Sequence, residues 1–324
     1  MTDYPRKTSS WKAAEARRKW HSILGIFVTI VLLLAVVNGV TKSITLGKNF
    51  KKSVWDSSGV FSAVVNTKPI SVLVFSPGLG DMTLFKLDED LYVETGGGQF
   101  DKITGVYKNS SGQDFAKIIA ESARVPIKNY IYFDGRKDAA GENLEKELDG
   151  FLSFLFPLKL VFGRVGSVDT NISHFDVFRL WWKAKSQGIN DLNLVDLGDY
   201  SADVLVGGST GVLGVDSVSL GRVLFPYFLN EEISQESLEI EVLNKSGIKG
   251  AGQLAADYIS SLGGRVVLVE GGTEVLPKCR IFTGGDSYTA SYLAKLFSCD
   301  IVAVSNLAKG KVQVEIGTDF GQEF

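Results

Sequence analysis

Between Ser22 and Thr41 the chain runs for twenty residues without a charge (SILGIFVTIVLLLAVVNGVT). A helix of that length rises roughly 30 Å, the thickness of a bilayer's hydrocarbon core. If it spans a membrane, everything after it must fold on one side. The head before it carries Arg6, Lys7, Lys12, Arg17, Arg18 and Lys19 against Asp3 and Glu15, while Lys42, Lys48, Lys51 and Lys52 follow it. The larger positive bias on the head puts residues 1–21 in the cytoplasm and the bulk of the chain outside. The alternatives are a cleaved signal peptide and a buried core helix. A signal peptide has a shorter apolar region and a small-x-small cleavage site, and none stands out after Val40. The expectation is a single transmembrane helix at 22–41.

About 284 residues remain beyond the first 40, enough for two ordinary domains. Taking the head's six basic and two acidic residues from totals of 34 and 37 leaves 28 against 35, so the exterior part carries −7. That balance argues against a nucleic-acid partner and against simple electrostatic capture of polyanions such as teichoic acids or anionic lipid. The only histidines, His21 and His174, lie far apart, and with two lone cysteines no His/Cys metal site can be assembled. Cys279 and Cys299 each directly precede a strand-like run (RIFTG and DIVAV) on the expected exterior, where disulfides persist. If those strands are parallel neighbours, both cysteines fall at one sheet edge and bridge geometry is possible. Two buried free thiols are the other reading.

Residues 42–66 are unpatterned and read as a juxtamembrane stalk. Strand-like runs follow at Ile70–Phe75 and Met82–Leu87, separated by the breaker cluster Ser76-Pro77-Gly78-Leu79-Gly80-Asp81. Leu91–Glu94 is short and β-prone. Gly112–Ala123 has helical apolar spacing with Ser111 as its cap, and Asn129–Phe133 is a further strand, so the stretch reads as a right-handed βαβ unit. Glu142–Phe162 reads as mostly helical, charged at its start and then strongly apolar, with a break or kink at Pro157. Ser173 caps a helix to about Ser186, whose stripe of Phe175, Phe178, Trp181 and Trp182 is expected in the core. Val195–Leu220 reads as strands and turns, and 231–237 as an acidic, polar hinge. From Leu238 the pattern is cleaner: strands at 238–244, 265–270, 280–284, 300–304 and 312–317 alternate with helices at 253–262 and 287–298, implying a small, mostly parallel α/β sheet.

Residues 238–324 resemble the LytR C-terminal domain of bacterial envelope proteins. The match rests on Val242-Leu243-Asn244, Ser246-Gly247-Ile248 with Gly250, the helix-strand order, and a final strand running into Gly317-Thr318-Asp319-Phe320. Residues 67–230 resemble, more distantly, the LytR-CpsA-Psr domain that commonly precedes this module. That match rests on Asp101-Lys102-Ile103-Thr104-Gly105-Val106-Tyr107, a helix, Val125-Pro126-Ile127-Lys128-Asn129-Tyr130, and Val168-Asp169-Thr170-Asn171-Ile172-Ser173. The resemblance implies an α/β fold anchored by one N-terminal helix, and transfer of undecaprenyl-linked glycopolymer onto peptidoglycan using a bound cation and arginines around the pyrophosphate. It also favours the anchor over the signal peptide.

The chain departs from that pattern where the chemistry lies. Gly80-Asp81-Met82-Thr83 stands where the family has serine-aspartate-threonine, leaving Asp81 as a cation ligand or a turn residue. Thr95-Gly96-Gly97-Gly98 replaces the arginine-aspartate expected at the close of the next strand, and only Arg136 is offered where a later arginine pair belongs. Without charge-assisted, bidentate donors a pyrophosphate transferase lacks its main transition-state stabiliser. The expectation is therefore a binding or scaffolding protein of envelope assembly, without cofactor, with cell-wall glycan or polyprenyl-phosphate lipid as candidate ligands. The alternative is an active phosphotransferase using magnesium, Asp81 and Arg136. A third possibility is a partner acting through protein contacts alone. Elsewhere, Gly247, Lys249, Gly250 and Gly252 open a helix, where free amides favour an anion; the plainer reading is a tight strand-to-helix connection. The run has no Gly-Lys-Ser/Thr and no G-x-G-x-x-G, and no G-x-S-x-G occurs anywhere.

Overall fold

The Trp55 indole packs on Phe61 and Phe75. The computed structural model describes residues 55, 59–79, 81–95, 99–132, 169–187, 193–206, 209–305, 307–308 and 310–323. The expected span 22–41, Arg136 and the expected helical stretch 142–162 lie outside them. Among the described residues no helix is long and apolar enough to cross a membrane.

In the first domain the elements run β1 (Phe61–Val65), β2 (Ser71–Ser76), β3 (Asp81–Lys86), β4 (Tyr92–Glu94), β5 (Phe100–Lys102), α1 (Ile103–Asn109), α2 (Gly112–Ala123), β6 (Asn129–Tyr132), β7 (Asp169–Thr170), α3 (His174–Gln187), β8 (Asn193–Asp196), β9 (Ala202–Val206), β10 (Ser209–Val215), α4 (Ser217–Phe228) and α5 (Glu231–Glu236). A six-stranded mixed sheet has the order β7-β6-β1-β2-β3-β8, and a four-stranded sheet the order β5-β4-β10-β9. All of β1 and β2 is buried. One face of these strands (Phe61, Ala63, Val65, Leu73, Phe75) packs under Val177, Leu180, Trp181 and Ala184 of α3. The other face (Val64, Val72, Val74, with Phe85) joins a core shared with α2 and α4.

Several expectations need correction. Residues 61–65, expected in the stalk 42–66, form β1 at the middle of the larger sheet. A run apolar on both faces has no period to reveal it as a strand. The expected βαβ unit does not form, because β4 pairs with β10 and β5, whereas β6 runs parallel to β1 in the other sheet. A three-residue strand cannot specify its partner locally, and β10 arrives far later in the chain. From Ser217 onward the expected strands and turns give way to α4, whose first turn is closed by the Asp216 carboxylate accepting from Val218 N (2.8 Å) and Ser219 N (2.9 Å). Finally, the aromatic stripe of α3 divides. Trp181 is buried, while Phe178 and Trp182 are 36 % and 61 % exposed.

The expected hinge 231–237 is α5. Asn230 caps it, accepting from Glu232 N and Ile233 N (3.1 and 3.3 Å), and Ile233 is buried. The C-terminal module continues directly: β11 (Glu239–Asn244), α6 (Ala251–Ser261), β12 (Arg265–Gly271), β13 (Arg280–Thr283), α7 (Tyr288–Phe297), β14 (Asp300–Ala303), β15 (Lys311–Ile316) and α8 (Phe320–Glu323). The sheet order is β12-β11-β15-β13-β14, and only β13 with β15 is antiparallel, in keeping with the mostly parallel sheet expected. Ile240, Val242, Val312, Val314 and Ile281 share the face covered by α6 and α7. On the other face Lys311 pairs with Glu241 (3.1 Å) and Glu239 (3.8 Å), and Lys245 with Glu315 (2.7 Å). One-sided burial explains the alternating letters of β11 and β15.

The two modules share one core. Phe115, Leu220 and Leu224 of the first domain belong to the same buried cluster as Tyr258, Phe297 and Phe320 of the second. Polar contacts reinforce it: Arg124 to Asp257 (3.1 Å), Lys117 Nζ to the Gly321 carbonyl (2.6 Å) and Lys128 Nζ to the Leu296 carbonyl (2.5 Å). Glu236 reaches from α5 to the start of α7, accepting from Tyr288 N (2.8 Å), Thr289 N (2.7 Å) and Ser287 Oγ (3.1 Å). Burial raises its pKa, but the bonds from Thr289, Tyr288 and Ser287 outweigh that and hold the carboxyl below the usual range.

Candidate functional site

The turn that opens α6 is built from the residues carrying the C-terminal resemblance. The Asn244 amide donates to the Ile248 carbonyl (2.8 Å), and its side-chain oxygen accepts from Ser246 N (3.1 Å) and Ser246 Oγ (2.6 Å). Ser246 Oγ in turn accepts from Ile248 N (3.0 Å). Gly247 and Gly250 sit at φ +73° and +87°, where L side chains are strained. A Cβ on Gly252 would meet Asn244 Cβ at 2.9 Å, so this glycine lets the helix close on its strand. The backbone thus accounts for these three glycines, as the plainer reading required. Gly250 is the N-cap of α6 and brings no side chain to accept its amides.

The fold then adds what the sequence did not reveal. Lys249 and Gly250 line a cleft of about 340 Å³ whose opposite wall is α2, with Lys117, Glu121 and Arg124, and the end of β4, with Glu94. Gly247 and Gly252 are not part of the lining. Leu254, Ile248 and Phe320 give the cleft an apolar component. Arg124 caps α2 in the left-handed conformation (φ +54°), an uncommon state for a non-glycine residue, held by N–H bonds to the carbonyls of Ala120 and Glu121. From there its guanidinium reaches Asp257 of the second module. Burial pushes the Glu121 carboxyl up, against the opposing pull of Lys117 and Arg124. The Tyr258 hydroxyl, fully buried nearby, is pushed well up, chiefly by burial and next by the Glu121 charge.

Lys249 of one module lies opposite Lys117 and Arg124 of the other, and Glu121 and Glu94 share the wall of the latter two. The arrangement suits a polar or anionic ligand held between charge-assisted donors. Neither a histidine nor a paired nucleophile and base lines it. No sequence motif marked Lys117, Glu121 or Arg124; they lie at the end of an ordinary amphipathic helix and become a site only when the second module docks.

Of the residues of the phosphotransfer alternative, Asp81 opens β3 opposite Ser76. Arg136 lies outside the described residues. Thr95, which replaces the expected arginine, donates through Oγ1 to Asp101 (2.9 Å) and through its amide to the Gln99 carbonyl (2.7 Å), closing the β4–β5 hairpin. Among the described residues no group of three or more His, Cys, Asp or Glu side chains is placed to hold a metal ion. Asp90 of the acidic run 88–90 pairs with Lys102 at 2.6 Å.

Cys279 and Cys299 are joined by a disulfide, their Cα atoms 4.6 Å apart. Because β13 and β14 are parallel with Arg280 opposite Asp300, the two preceding cysteines fall side by side. The closing Gly317-Thr318-Asp319-Phe320 latches this edge. Asp319 accepts from Cys279 N (3.0 and 3.1 Å), Thr318 N donates to the Leu276 carbonyl, and Phe320 packs against Phe297 and Tyr258.

No protein-family model and no curated protein matches the chain. Several solved structures do. A transcriptional regulator from Enterococcus faecalis is 14 % identical, with 53 % of this chain and 87 % of that one covered at a TM-score of 0.40. TagV of Bacillus subtilis is 13 % identical over 53 % of this chain and 98 % of its own, at 0.41. The LytR-CPS2A-psr family protein YwtF (TagT), solved with octaprenyl pyrophosphate lipid bound, is 14 % identical over 52 % and 89 %, at 0.34. Among the solved structures that match, one is thus described as a LytR-CPS2A-psr family protein.

Proposed function

We propose that this chain is a membrane-anchored, extracytoplasmic protein of bacterial cell-envelope assembly that binds or positions a wall-bound or lipid-linked polymer without transferring it. Residues 22–41 form the anchor, with the N-terminus cytoplasmic. The cleft at the module junction carries the reading, because Lys249 and Gly250 of one module and Lys117 and Arg124 of the other line a single space. An anionic group of a cell-wall glycan or polyprenyl phosphate is the ligand class that such donors suit. Thr95, spent on its own hairpin where the family pattern has an arginine, supports binding over catalysis. The shared core supports a scaffold whose two modules present that space in fixed geometry.

The test uses the full chain reconstituted in nanodiscs, titrated calorimetrically with pyrophosphate and with peptidoglycan fragments. Binding that weakens about tenfold in Lys249→Glu, a loss of about 1.4 kcal/mol, with unchanged thermal unfolding, is the expected result. Binding indifferent to Lys249→Glu would remove the cleft from the function. Cation-dependent pyrophosphatase activity abolished by Asp81→Ala would replace this reading with phosphotransfer.

A further inference from the structure

The outward face of α3 differs from the rest of the surface. Phe178 and Trp182, one helical turn apart, are exposed, and Lys185 continues the same face. The Phe178 and Trp182 rings lie 6.5 Å apart, and Phe178 also stacks on the buried Trp181 at 5.7 Å. Arg179 lies over the Phe175 ring (4.3 Å), Lys183 turns inward over the buried Phe75 (5.6 Å), and the exposed Lys185 supplies the cation of the outer face. The acidic residue within the described side chains of α3, Asp176, is buried and faces Arg179 at 4.0 Å. The face is therefore aromatic and cationic on a domain region whose overall charge is −7. Tryptophan and phenylalanine flanked by long basic side chains are the residue types that settle at the bilayer interface, rings at headgroup level and cations toward the phosphates.

Chain connectivity brings this face within reach of a membrane. The carbonyl of Trp55 accepts from Arg179 of α3. Thirteen residues, 42–54, lie between Thr41, the end of the apolar span, and Trp55. Fully extended they cover about 50 Å at most. Tethering supplies the local concentration that net charge would not.

We propose that the outward face of α3, through Phe178, Trp182 and Lys185, rests in the headgroup region of the bilayer that anchors the chain. This rests on the anchor reading of residues 22–41, and the two can fail separately. The full chain would be reconstituted in phosphatidylcholine–phosphatidylglycerol nanodiscs with an environment-sensitive fluorophore at Trp182→Cys, Val218→Cys or Val31→Cys. Val218 is exposed at the start of α4, which packs on the opposite side of the larger sheet from α3. Lipids carrying a quencher near the headgroup or deep in the acyl chain report contact. We expect the headgroup quencher to dim position 182 at least about twofold more than position 218, and the deep quencher to dim position 31, as interface and core positions should. Quenching at 31 without quenching at 182 overturns the docking and leaves the anchor standing. A water-shielded but unquenched label at 182 overturns it as well, and points to cover by protein. Loss of quenching at 31 overturns both.

Discussion

Replacing Glu236 by glutamine tests whether the docked arrangement depends on one carboxylate. Two effects oppose each other. Glu236 ends α5, where a negative charge meets the negative pole of its own helix, and neutralising it there gains about 0.3–1 kcal/mol. The same carboxylate accepts three hydrogen bonds at the N-terminus of α7, where its charge is favourable. A glutamine has one acceptor oxygen and sets an NH₂ against the remaining donors, costing about 1–2 kcal/mol on the scale of N-cap losses, with the upper end favoured because the bonds are charge-assisted. The cap should win, leaving Glu236→Gln about 1 kcal/mol less stable at neutral pH, or roughly 2–4 °C in melting temperature for a unit of this size. The folded pKa lies below the ordinary value, so the contribution is complete above the unfolded pKa of about 4.3 and fades as pH falls through the folded value. Melting curves of wild type and variant should therefore differ at pH 7 and draw together as pH falls through the lowered folded pKa. Equal stability at pH 7, or a gap that persists in acid, would refute the cap as the lock.

Other outcomes follow from the same geometry. Removing the disulfide by Cys279→Ala with Cys299→Ala opens a crosslink across a sequence separation of 20 and should cost about 3 kcal/mol in denaturant melts, with the variant insensitive to reductant. Gly252→Ala should destabilise more than Gly250→Ala. The former drives a Cβ to 2.9 Å from Asn244 Cβ, whereas the latter meets nothing within 4 Å and suffers only its positive φ, at about 1 kcal/mol. Trp181→Ala should lose about 3–5 kcal/mol and Trp182→Ala within about 0.5, because only the former is core. Pyrophosphate affinity should rise as pH falls through the raised Glu121 pKa, since protonation removes a negative charge from the cleft; a Glu121→Gln variant should bind more tightly at neutral pH and lose that dependence in calorimetric titrations.

The helix Gly112–Ala123 with its Ser111 cap, and nearly every strand after Leu238, could be read from the sequence because their causes are local: a capping box, a period of 3.6, alternation on a half-covered sheet. The positive-φ glycines at 247 and 250 were legible for the same reason. What stayed hidden depends on contacts far apart in the chain. Phe61–Val65 is buried on both faces and so has no period. Leu91–Glu94 takes its partner from β10, and the 231–237 segment looks like a hinge until its Glu236 meets the start of α7. The cleft is the extreme case, since Lys117, Arg124 and Lys249 are unremarkable surface letters whose convergence requires two modules to share one core. By itself the sequence determined the kinds of elements, the disulfide edge if its strands were parallel neighbours, and a twenty-residue apolar span. Only the tertiary structure decided which strands pair, which tryptophan faces outward and where the cations meet, because burial and charge clustering depend on neighbours that chain order does not reveal.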